Sequence, residues 1–180
     1  HGISGTYQTC KMIADQINEK QNKKRIEIVD SLTAGLGEGM IAMYAYEQSK
    51  KASSLEELNE LVKAYVSKVR SEFIVDSLIY LTNTGRVSML KAKIVSLLSI
   101  KPLLYGSDEG KIEVTSLAHG KIKAIKKLAA QVLEHIENKD SKVYISHCNA
   151  LEDAVKLQNL LQEGGVKDIE IYYYDLVTGA

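Results

Sequence analysis

The order of elements between Arg25 and Gln48 constrains the fold most. Arg25-Ile26-Glu27-Ile28-Val29 is a short β-rich run, and Asp30-Ser31 follows it directly. After a glycine-bearing turn, a helical pattern carries Met40, Ile41, Met43 and Tyr44 to about Gln48. A strand ending on Asp-Ser and turning through glycine into a helix reads as the βα unit of an α/β domain. A helix from Tyr7 to about Lys20 precedes it, with Met12, Ile13 and Ile17 as its apolar positions. Ser54-Leu55-Glu56-Glu57 is a capping box opening an amphipathic helix through Leu58, Leu61, Val62, Tyr65 and Val69. Residues 1–70 therefore read as part of a parallel, doubly wound α/β domain.

The pattern changes at residue 71, and 71–180 read as a second, α+β domain with a mixed or antiparallel sheet. Phe73-Ile74-Val75 is strand-like, Leu78 to Leu81 begins a helical turn, and Met89 to Leu98 reads as a helix. Ile100 to Tyr105 is a strand containing the only proline, Pro102, which predicts an edge or bulged strand. Gly106-Ser107-Asp108-Glu109-Gly110 turns it back into Lys111 to Thr115 as a hairpin. Lys121 to Ile136 is a basic amphipathic helix burying Ile122, Ile125, Leu128, Ala129, Val132 and Leu133. Lys142 to His147, Leu151 to Gln162 and Ile169 to Tyr174 read as strand, helix and strand.

Lys+Arg and Asp+Glu are equal at 23 each, so no net field recruits nucleic acid or a membrane surface. No apolar run reaches the roughly 18–20 residues of a membrane span. Cys10 and Cys148 have no zinc-like spacing and read as free, buried, reduced thiols, the usage of a cytoplasmic protein.

Ile3-Ser4-Gly5-Thr6-Tyr7-Gln8-Thr9 runs straight into the first helix. Hydroxyls and a glycine at a helix N-terminus offer side-chain donors and free backbone N–H groups to an anion, or else an ordinary cap. Asp30-Ser31 ends its strand where open α/β sheets hold ligands; helix capping is the other reading. Gly35-Leu36-Gly37-Glu38-Gly39 fails the dinucleotide spacing, because Met40 stands where glycine is required, and reads as a turn with close packing. Arg86 in Thr84-Gly85-Arg86-Val87-Ser88 is a loop guanidinium suited to phosphate or to an acidic partner. His119, His135 and His147 have no metal-like spacing, and no nucleophile–base or paired-carboxylate constellation emerges. No cofactor or metal is expected.

In order, "ISGTYQT", "VDSLTAGLGEG", "NTGRVSMLKAKIVSLLSIKPLL" and "DEGKI" resemble the DegV family of bacterial lipid-binding proteins. The resemblance implies two α/β domains enclosing one long-chain fatty acid, whose carboxylate is presented to the separate ATP-binding subunit of a fatty acid kinase. It implies a carboxylate-binding set of Ser4, Gly5, Thr6, Asp30 and Ser31, in which Asp30 and Ser31 shape the head-group pocket. It further implies a kinase or phosphate contact at Arg86 and an acyl-tail pocket including Ile94, Leu97, Leu98 and Ile100. No nucleic acid is implied, and membrane contact is transient at most. Family members usually carry further α/β units before the "SGTYQ" motif and a His-x-Gly-Pro-Gly segment beyond the last glycine, so the sequence reads as a piece of a longer chain. Where an Arg-Gly often follows the "DGKI" strand, Ala118-His119-Gly120 stands here. A phosphotransferase of a related α/β fold is the alternative from a different class, and a ligand-free structural module a third.

Overall fold

The computed structural model describes residues 1–87 and 99–174. The chain divides into two compact units: residues 1–71 with 106–111, and residues 72–105 with 112–180.

The first unit is built on three helices, α1 (Thr6–Gln21), α2 (Leu36–Ser49) and α3 (Leu55–Val66). Helix α3 starts where the capping box places it: Ser54 is extended and its side chain accepts the Glu57 N–H at 3.1 Å. The return bond goes one residue further back than in the standard box, since Ser53 N–H donates to Glu57 Oε2 at 2.8 Å. Helix α1 ends on Asn22 in the left-handed region, whose N–H closes the last turn. Ile41 of α2 packs on Val62 and Val66 of α3, with Val29 and Leu32 against the same core. Tyr44 and Tyr65 stack at 4.0 Å between the two helices.

Two expectations for this unit change. The run at 25–29 enters no ladder among the described residues; at its start the side chain of Asn18 accepts from Arg25 N–H (2.8 Å) and Ile26 N–H (3.1 Å) and donates to Ile26 C=O (2.9 Å). Met12, Ile13 and Met43 are exposed rather than buried. The inward side of α1 is set by Ala14, Ile17 and Asn18, spaced i, i+3, i+4, which turns Met12 to the far side of the helix.

The second unit holds β1 (Glu72–Ile74), α4 (Ile79–Asn83), β2 (Ile100–Gly106), β3 (Ile112–His119), α5 (Lys121–His135), β4 (Val143–His147), α6 (Leu151–Glu163) and β5 (Ile169–Tyr173). The strands form an antiparallel sheet ordered β1-β2-β3 and a parallel pair β4-β5. The expected helix at 89–98 lies outside the described residues. Strand β2 is central, not an edge, and Pro102 is among its fully buried side chains. Proline is accommodated because β1 is only three residues long: its ladder runs from Glu72↔Tyr105 to Ile74↔Leu103 and stops short of position 102.

Helix α5 serves both sheets. Ala124 and Leu128 join Leu103 and Ala118 in one core, while Ala129 joins Ile145, Ala154, Leu161 and Val166 in the other. Ile122, expected in this face, is 67% exposed, because the inward contacts of α5 begin only at Ala124. Both cysteines are free and exposed, against the expectation that they are buried.

Candidate functional site

The helix start that carries Ser4 has no side-chain cap at its N-cap residue, Gly5. Ser4, one residue earlier, turns its Oγ toward the first turn, accepting Thr6 N–H at 3.3 Å and lying 2.9 Å from Thr6 Oγ1. Thr9 Oγ1 donates to Gly5 C=O at 3.0 Å. Ser4, Gly5 and Thr6 are exposed. Two hydroxyls and the unpartnered N–H groups of a first helical turn thus share one exposed spot, the arrangement that favours an anion.

Asp30 and Ser31 are half-buried in the loop before α2. Asp30 Oδ1 accepts Leu32 N–H at 3.2 Å, which holds Leu32 at φ +54°, a left-handed conformation uncommon for leucine. Ser31 Oγ donates to Thr33 C=O at 3.2 Å. The other carboxylate oxygen of Asp30 pairs with the imidazole of His1, which ties this loop to the opening segment. That segment also meets the 106–110 turn: a Cβ on Gly2 would lie 2.3 Å from Gly110 O. Only glycine permits so close a backbone approach.

Arg86 is exposed in the loop after α4, where Gly85 takes φ +74°. Its guanidinium donates to Thr84 C=O and its backbone N–H to Leu81 C=O at 2.8 Å. In the same unit, Lys101 lies 2.9 Å from Asp76 and holds that carboxyl below its ordinary range. Of the expected tail residues, Ile100 opens β2 and is half-buried; Ile94, Leu97 and Leu98 lie outside the described residues.

A depression of about 240 Å³ beside α1 includes Lys11, Asp15, Asn18, Lys24 and Glu27 in its lining. Its charges pair with each other, Lys11 with Asp15 at 3.1 Å and Lys24 with Glu27, so it does not suit an acyl chain. Hydroxyl spacing and the position of Gly37 bring in Thr33 and Ser71, which reading the sequence did not single out. The glycine run was the available signal, since close packing at Gly37 requires a neighbour. Among the described residues no group of three or more His, Cys, Asp or Glu is placed to hold a metal ion, and no helix is long and apolar enough to cross a membrane.

A family model described as an uncharacterised protein of the DegV family matches residues 1–180. A DegV domain-containing protein of Clostridium perfringens is 36% identical over 180 residues, covering 99% of this chain and 62% of the relative. Among solved structures, a DegV family protein from Ruminococcus gnavus with vaccenic acid superposes with a TM-score of 0.88 at 29% identity, covering 98% of this chain and 64% of that one. A fatty-acid-binding DegV family protein from Streptococcus agalactiae superposes with a TM-score of 0.82 at 30% identity, covering 96% and 60%. The chain therefore spans about three fifths of the length of these relatives. Its α/β architecture matches theirs over nearly the whole of this chain.

Proposed function

The chain belongs to the DegV family, and from that premise we propose that it binds a long-chain fatty acid and presents the carboxylate to a separate, ATP-binding fatty acid kinase subunit. The observation that carries this reading is the start of α1, where Ser4 and Thr6 hydroxyls stand beside the free N–H groups of the first turn. Burying an acyl chain contributes roughly 0.8 kcal/mol per CH2, and the charged head then needs compensating donors. Ser4, Gly5 and Thr6 supply them. Asp30 is itself an anion and would repel a carboxylate at contact distance, so its part is to shape the pocket through Leu32, with Ser31 beside it. We assign the tail to apolar side chains, Ile100 with Ile94, Leu97 and Leu98, as the family resemblance implies. Arg86, an exposed guanidinium on a glycine-bearing loop, is assigned to the acyl-phosphate or to the kinase subunit. The chain is given no chemistry of its own in this reading.

The test is organic extraction of the purified protein followed by mass spectrometry. A co-purifying long-chain fatty acid is expected, and Ser4→Ala should lower its retention. An extract without lipid counts against the reading, and unchanged retention in Ser4→Ala removes Ser4 from the site. Arg86→Ala should keep the lipid and lose acyl-phosphate formation when the kinase subunit and ATP are added. ATP turnover by the chain alone would favour the phosphotransferase alternative.

A further inference from the structure

We propose that the hydrogen bond between Thr33 and Ser71 positions the head-group site, fixing the two backbone segments against which the Ser4 helix start is set. The inference rests on the lipid reading above and names residues that control its head-group affinity.

Thr33 Oγ1 and Ser71 Oγ lie 2.7 Å apart, half-buried, and join positions 38 residues apart in the chain. From Thr33 one route runs through the candidate loop. The Thr33 carbonyl accepts the Ser31 hydroxyl at 3.2 Å, and Leu32 between them is held left-handed by Asp30. From Ser71 a second route runs to the turn. The Ser71 carbonyl accepts Gly106 N–H at 3.0 Å, and the turn closes on itself through Ser107 N–H to Lys111 C=O and Gly110 N–H to Ser107 C=O, both 2.8 Å. That turn meets Gly2, two residues before Ser4, while Asp30 meets His1. Both routes thus converge on the opening segment, and the Thr33–Ser71 bond joins them at the other end.

Helix α2 is cut to fit over this pair. A Cβ at Gly37 would stand 2.4 Å from Thr33 Oγ1, 2.8 Å from Ser71 Oγ and 3.0 Å from Thr33 Cγ2. Two short side chains held by each other cannot swing away as the end of a long one does. Any residue larger than glycine at 37 must break the bond or push back the first turn of α2. A desolvated carboxylate depends on every donor being in place, so a small shift of these loops acts on the charged head of the ligand and not on its tail.

The experiment compares equilibrium binding of palmitate with that of methyl palmitate, which keeps the tail and lacks the charge. It is carried out on the full chain and on Thr33→Val, Thr33→Ser, Ser71→Ala and the double variant Thr33→Val/Ser71→Ala. Thr33→Val is expected to weaken palmitate roughly tenfold, while methyl palmitate changes less than about twofold. Thr33→Ser, which keeps the hydroxyl, restores palmitate binding, and the double variant is no worse than either single change. Ser71→Ala deletes the same bond from the other side and carries the test if Thr33→Val does not fold. Equal losses for both probes, or no loss for palmitate, overturn the positioning role while leaving the lipid reading intact. A wild-type chain that binds neither probe overturns both.

Discussion

Glu72 is a charged residue placed inside: its side chain is only 3% exposed. Its carboxylate lies 2.6 Å from His135 Nδ1 and accepts Gln131 Nε2 at 3.3 Å, while Gln131 Oε1 is 3.1 Å from Thr115 Oγ1. A buried carboxylate stripped of a partner is costly, so His135→Ala should destabilise the protein by about 1–3 kcal/mol, read as a lower urea midpoint with an unchanged slope. Asp76 is the exposed counterpart. Its carboxyl is held low first by the Lys101 hydrogen bond, with Lys101 and Lys121 charges adding to it. A lowered carboxyl stabilises the fold above its unfolded value and loses that contribution as pH falls through the folded one. Asp76→Asn should therefore cost under about 1 kcal/mol at pH 7, because solvent screens the pair, and nothing once the pH lies below the lowered value of the folded state. Single residues were unevenly legible. Close packing at Gly35-Leu36-Gly37-Glu38-Gly39 followed from a failed nucleotide spacing, and Gly37 does pack tightly. His135 was read only for its lack of metal-like spacing, because its partner, Glu72, is 63 residues away.

At the scale of elements, local chemistry was the readable part. The capping box located α3, and Ser54→Ala should cost it about 0.5–2 kcal/mol in thermal unfolding, since Ser54 accepts the Glu57 N–H. Sheet position was not readable, because it depends on partners. Pro102 predicted an edge or bulged strand, yet a three-residue β1 leaves room for it in the central strand. The 25–29 run has strand composition, but it enters no ladder among the described residues, and the backbone groups of Arg25 and Ile26 bond to an asparagine side chain. Helix faces were misplaced by one or two positions where the inward contact is small, as with Ala14 beside Met12 and Ala124 beside Ile122. Strand β2 is the anchor of its sheet: Leu103 is fully buried against Ala118, Ala124 and Leu128. Leu103→Ala should cost about 2–5 kcal/mol, measured by denaturant titration, through lost burial and the cavity left behind.

For the whole molecule, a ligand that binds only the folded state adds its binding free energy to stability. Palmitate at a hundredfold excess over its dissociation constant should add about 2.7 kcal/mol, raising the calorimetric Tm by an amount that grows with ligand concentration. Methyl palmitate should raise it less if the head is held as proposed. The division into two units carries a consequence for how the chain is made. The 106–111 turn belongs with residues 1–71, yet β1, α4 and β2 are synthesised before it. A ribosome-bound chain that has just completed α3 has no turn for Gly2 to meet and no Gly106 N–H for Ser71 to accept. The first unit closes by a late, long-range contact, the kind that slows folding because the intervening chain must be ordered before it is rewarded. Translation products that stop short of the hairpin should accordingly be protease-sensitive around Gly2, with protection gained only after the hairpin has emerged.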